Sequence, residues 1–119
     1  MLNNRLQAIF AVLDDGVKEA IAVTSSGTYR LDSNGYHEID RIPAGASNVL
    51  PRSFEGRTIL EVRWGGGDLM MRLGDGSFIC LCWTIDTRTG ESYRDLFFHE
   101  KEEIDEAVLS SFSELESTS

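Results

Sequence analysis

The chain has 119 residues, 41% of them hydrophobic and 26% charged, with only two prolines. That balance suits one globular domain spanning 1–119 and excludes collagenous, low-complexity and disordered classes. The formal net charge of −9 is uneven: residues 1–85 carry ten acids against eight bases (−2), and residues 86–119 carry ten against three (−7). Such a field repels nucleic acid and anionic membranes and favours a basic partner, although it also serves solubility alone.

The longest apolar run, around Ile79 to Trp83, is far below the roughly 20 residues needed to cross a bilayer. The opening Met1-Leu2-Asn3-Asn4-Arg5 is followed by a broken apolar stretch ending at Asp14-Asp15. A secretory signal has a longer apolar segment and a small-residue cleavage site, so the expectation is an untargeted cytoplasmic protein.

Leu6, Ile9, Phe10 and Leu13 recur at i, i+3, i+4 and i+7, the spacing of one helical face, and Asn3 or Asn4 suits its cap. Asp14-Asp15-Gly16 is equally good hairpin-turn chemistry. The spacing favours a helix over residues 3–13 ending at Gly16, with a strand as the alternative.

Val17, Ile21 and Val23 alternate with Lys18 and two alanines, and Ser25-Ser26-Gly27 turns the chain into Thr28–Asp32. Ser33-Asn34-Gly35 turns it again into Tyr36–Ile39, completing a three-strand meander. Pro43, Gly45, Pro51 and Gly56 mark residues 43–56 as a loop. A second meander follows, with strands at Arg57–Trp64, Leu69–Leu73, Phe78–Ile85 and Ser92–Phe98.

Phe78–Ile85 is apolar on both faces, which predicts a central strand covered on both sides. Ile104, Val108, Ser111, Phe112 and Leu115 then follow helical spacing, and Glu100, Glu102, Glu103 and Asp105 crowd the first turns, where the helix dipole favours acids. The expected fold is α+β: mainly a twisted antiparallel β-sheet of two meanders, with a C-terminal amphipathic helix and a possible N-terminal one. Ile104, Val108, Phe112 and Leu115 are expected to face Leu81, Trp83 or their neighbours.

No catalytic or cofactor motif emerges. His37, His99, Cys80 and Cys82 are metal-ligand types, yet the C-x-C pair lacks the C-x-x-C knuckle spacing and the histidines are isolated. Cys82, His99 and Asp95 have the composition of a thiol triad, but an apolar strand raises a thiol's pKa and leaves it inert. A Cys80–Cys82 bridge would distort the strand, so both are expected as thiols. Gly65-Gly66-Gly67 is followed by Asp68 and a strand rather than by a helix with Lys, so it is a hairpin loop and no phosphate cradle. The reading is no metal, no cofactor and no enzyme.

Phe54-Glu55-Gly56-Arg57-Thr58-Ile59-Leu60-Glu61-Val62, then Asp68–Leu73, then Asp75-Gly76-Ser77-Phe78-Ile79 resembles a strand–hairpin pattern of small acidic bacterial proteins. Those are the immunity proteins of contact-dependent inhibition and related polymorphic toxin systems. The resemblance implies a cytoplasmic inhibitor that binds a cognate toxin domain, for which a basic nuclease is the natural target of an acidic surface. A small adaptor or chaperone, a ligand-binding domain, or an enzyme whose site assembles only in three dimensions, are the alternatives. The residues expected to meet the partner are Asp86, Glu91, Asp95, Glu100, Glu102, Glu103 and Glu106, with Tyr93 and Tyr36 as aromatic anchors.

Overall fold

Turn chemistry sets the hairpins of the computed structural model, which describes residues 1–117. Strands β1 (Leu6–Leu13), β2 (Val17–Thr24), β3 (Gly27–Asp32) and β4 (Gly35–Glu38) form an antiparallel meander, and β5 (Ser47–Asn48) adds to β1. At the β3–β4 turn, Asp32 Oδ1 accepts the Asn34 N–H at 2.8 Å, the local bond that makes Asp a turn residue. The second sheet contains β6 (Ile59–Gly65), β7 (Asp68–Leu73), β8 (Phe78–Ile85), β9 (Ser92–His99) and β10 (Glu116–Ser117), in the order β10-β6-β7-β8-β9. A nine-residue helix, α1 (Glu106–Glu114), follows β9.

The two meanders are two sheets packed face to face, where the sequence suggested a single one. Leu6, Ile9, Ala11, Ala20, Ala22 and Leu31 of the first sheet share a core with Ile59, Val62, Leu69, Met71, Leu73, Ile79 and Leu81 of the second. Burying each large side chain of that kind contributes about 1.5–3 kcal/mol. At one corner the sheets are stitched through backbone: Leu6 N–H donates to Arg57 O at 2.9 Å and Ile59 N–H to Asn4 O at 2.9 Å. At β1's other end Gly16 lies against Tyr93 and Arg94 of β9. Because β6 and β9 lie on opposite sides of the β7–β8 pair, the β1–β2 hairpin runs across the second sheet.

Residues 6–13 are therefore a strand and not the expected helix. The ladder shifts register between Leu6 and Ala8, so that Gln7 is an extra residue on β1. A bulge of this kind puts Leu6 and Ile9 on one face three residues apart, which mimics helical spacing. Residues 43–56 are not wholly loop either, holding β5 and a 3-10 turn at Arg52–Phe54.

The central-strand expectation for β8 holds: Phe78, Ile79, Cys80 and Leu81 are all buried, and β8 lies between β7 and β9. The C-terminal helix is present but starts later than expected. Glu100 and Glu103 form a capping box around a 3-10 turn at Lys101–Glu103, and Asp105 caps α1, its Oδ1 accepting the Val108 N–H at 3.1 Å. The helix covers the face of β8 opposite to Leu81. Ile104, Val108, Phe112 and Leu115 pack with Met70, Phe78, Cys80, Cys82 and Phe97. Leu81 instead points into the sandwich, and Trp83 is exposed.

Candidate functional site

The residues proposed for partner contact do not form one surface. Glu100 is held by Arg57, whose guanidinium also bonds Asp75 and Ser77, all at 3.0 Å, and lies 4.0 Å over the Phe54 ring. Asp75 is kept below the usual carboxylate range: burial opposes this, but the Ser77 hydrogen bonds and Arg57 outweigh it. Asp95 sits mid-strand opposite Cys82, and its Oδ1 accepts the neighbouring Leu96 N–H at 2.9 Å. Glu102 and Glu106 are exposed at the β9–α1 connection, and Glu103 Oε1 accepts the Glu100 N–H at 3.0 Å.

Tyr36 is half-buried and packs within the protein. Its ring meets Tyr29 at 5.9 Å and Trp64 at 6.4 Å, edge to face, and wedges the two sheets. Gly35 beside it has φ +110°, and an added Cβ would lie 3.0 Å from the Trp64 ring. The position needs glycine both for its backbone and for that approach.

Asp86, Glu91 and Tyr93 do come together, roughly 23 Å along β9 from the other acidic group. They line a recess of about 280 Å³ with Asp15, Gly16 and Ser92; no lysine or arginine lines its wall, and the largely exposed Arg88 reaches Asp86 Oδ1 from outside at 3.6 Å. Asp15 arrives from the β1–β2 turn because Gly16, with φ +109°, allows that turn to press on β9; a Cβ there would sit 2.7 Å from Arg94 O.

Three of the large apolar residues exposed to solvent lie at this same end: Leu13 (61% exposed), Trp83 (52%) and Ile85 (64%). Trp83 and Ile85 continue the inward face of β8 beyond the first sheet's cover, opposite Arg94 and Ser92. The Arg94 guanidinium lies 6.0 Å over the Trp83 ring, with Nε and Nη2 buried and unbonded among the described residues. Chain reading missed Asp15, Leu13, Trp83 and Ile85 as site residues. The signal for the last two was present, since β8's apolar alternation runs four positions past Leu81, through Trp83 to Ile85.

On the other side of the second sheet, a cleft of about 380 Å³ opens beneath α1. Met70, Cys80, Cys82 and Phe97 contribute to its floor, and Ala107 and Ser111 to its roof. The two thiols are free and unlike. Contact with Cys82 together with burial pushes Cys80 well up, whereas the hydrogen bond from Cys80 holds Cys82 below the ordinary thiol value against desolvation. The expectation that Cys82 is raised like any buried thiol is thus reversed by its neighbour.

Cys82 and Asp95 are ladder partners, but His99 pairs with Phe78 and stacks on Phe97 at 6.2 Å. His37 lies in the other sheet, bonded to Asp32 at 3.1 Å. Among the described residues no three His, Cys, Asp or Glu side chains are arranged to hold a metal ion. No helix among them is long and apolar enough to cross a membrane.

The architecture defines a class, a mostly antiparallel two-sheet sandwich carrying one C-terminal helix on an outer face. No protein-family model, curated protein or solved structure matches the chain.

Proposed function

We propose that the protein is a non-enzymatic binding module that receives a basic protein partner at its acidic end, as an immunity protein receives a toxin domain. One observation carries this reading: the recess walled by Asp15, Asp86 and Glu91 lies at the end where Leu13, Trp83 and Ile85 are exposed. Interfaces draw most of their energy from a few aromatic or aliphatic anchors, while charges around them set rate and partner choice. A net charge of −9 adds long-range attraction for a basic domain such as a nuclease. The cytoplasmic setting and the toxin class rest on the resemblance of the Phe54–Ile79 stretches.

Affinity capture from a host lysate tests the reading, comparing the wild type with Asp86→Lys/Glu91→Lys and with Trp83→Ala. The wild type is expected to retain a basic protein that both variants lose. Charge reversal should slow its association at least tenfold at low salt and much less at high salt, where screening is short-ranged. Capture of the same proteins at the same rates by all three forms would place the contact elsewhere and defeat the proposal.

A further inference from the structure

We propose that the cleft beneath α1, which Trp83 borders at one side, is a binding site for a small apolar amine. Its volume of about 380 Å³ falls in the range of small-molecule sites, which are mostly apolar with a few convergent polar groups. The space has a local cause. Short side chains on the helix, Ala107 and Ser111, lie over short side chains on the strand, Cys80 and Cys82. Close-packed interiors interdigitate large with small, so facing small residues leave a gap. The helix does not collapse into it because Phe112, seated on Phe78 at a centroid distance of 5.0 Å, holds α1 at its height.

Charge at the mouth selects the head group. Asp68 lines both this cleft and the adjoining recess formed by Trp64, Gly65, Gly66 and Glu114. No lysine or arginine lines either space. Asp68 Oδ1 accepts the Trp83 backbone N–H at 3.1 Å, which fixes the carboxylate and leaves Oδ2 without a protein partner among the described residues. An ammonium placed there makes a charge-assisted hydrogen bond, with its tail lying along Met70, Cys82 and Phe97. An anionic head would face Asp68 and Glu114 with no lysine or arginine to offset them, His99 being the one basic side chain on the cleft wall.

Octylamine, octanol and octanoate share one tail length and separate these contributions. Binding is read from the rate of N-ethylmaleimide labelling at Cys82, located by mass spectrometry, and from amide shifts across residues 106–115. Octylamine is expected to protect Cys82 and to bind about tenfold more tightly than octanol, a difference of about 1.4 kcal/mol, with octanoate weakest. Asp68→Asn should bring octylamine to octanol's level. Asp40→Asn, the same charge change in an exposed loop, should leave it unaltered, and Ser111→Leu should abolish protection by all three. The proposal is overturned by equal affinity for the three heads, by no protection from octylamine, or by Asp40→Asn weakening it as much as Asp68→Asn.

Discussion

Phe112→Ala removes the one buried side chain of α1. The ring is 6% exposed, meets Phe78 edge to face at 5.0 Å, and lies 4.4 Å beneath the Arg63 guanidinium, which also donates to Phe112 O at 3.2 Å. Truncating a buried phenylalanine costs about 3–5 kcal/mol, the aromatic pair supplying about 0.5–1.5 of it. The full cost has a ceiling, since nine residues are too few for a helix to persist alone in water. Once the variant's loss exceeds the free energy that docks α1, the helix leaves the sheet and no further cost accrues. The expected outcome is therefore a loss near the lower bound, about 3 kcal/mol, and a fall in Tm of about 10–15 °C for a domain of this size. Urea titration gives the first quantity and calorimetry the second. Hydrogen exchange supplies the discriminating result: amides at residues 106–114 should exchange fast while those of Ile79 and Leu81 stay protected. A loss under about 1 kcal/mol, or exchange that rises evenly through both sheets, would refute the single-anchor account.

Glu61 bonds Arg63 at 2.7 Å and Arg72 at 3.2 Å, and these contacts hold its carboxyl below the ordinary range although burial opposes them. A depressed folded pKa means that its stabilisation is complete above the unfolded value and disappears as pH falls through the folded one. Glu61→Gln should thus cost about 1–2 kcal/mol at pH 7, reduced by Arg72's exposure, and should flatten the acid limb of the stability profile below about pH 4–5; urea midpoints measured from pH 7 to 3 check both. Gly16→Ala forces a left-handed backbone on alanine and a Cβ against Arg94 O, for an expected loss above about 2 kcal/mol. An unchanged urea midpoint would mean that the β1–β2 turn does not press on β9.

Local rules located most strands. Asn34-Gly35 and Gly74-Asp75-Gly76 delimit hairpins, and period-2 alternation filled the segments between them. The bulge at Gln7 is invisible to such rules, because only the partner strand reveals that one residue is unpaired. The acids at Glu100–Glu103 looked like the start of a helix, yet Arg57, more than forty positions away, claims Glu100 and the segment turns as a 3-10 cap. Charge alone picked out Asp86 and Glu91, whereas Asp15 joins them through a contact between distant turns. Tyr36's packing was hidden for the same reason: its neighbour Trp64 belongs to the other sheet.

The backbone stitch between Asn4–Leu6 and Arg57–Ile59 also orders events in time. Each meander is made of successive hairpins that zip over short loops, but the corner joining them closes over about fifty residues, at an entropic cost of about 3.5 kcal/mol. A chain emerging during synthesis can complete β1–β4 before Ile59 exists, leaving Leu6, Ile9, Ala11 and Leu31 open to water until the second sheet arrives. The hazard of this fold is therefore kinetic, a sticky half-sandwich awaiting its lid, and it ends when Leu6 finds Arg57.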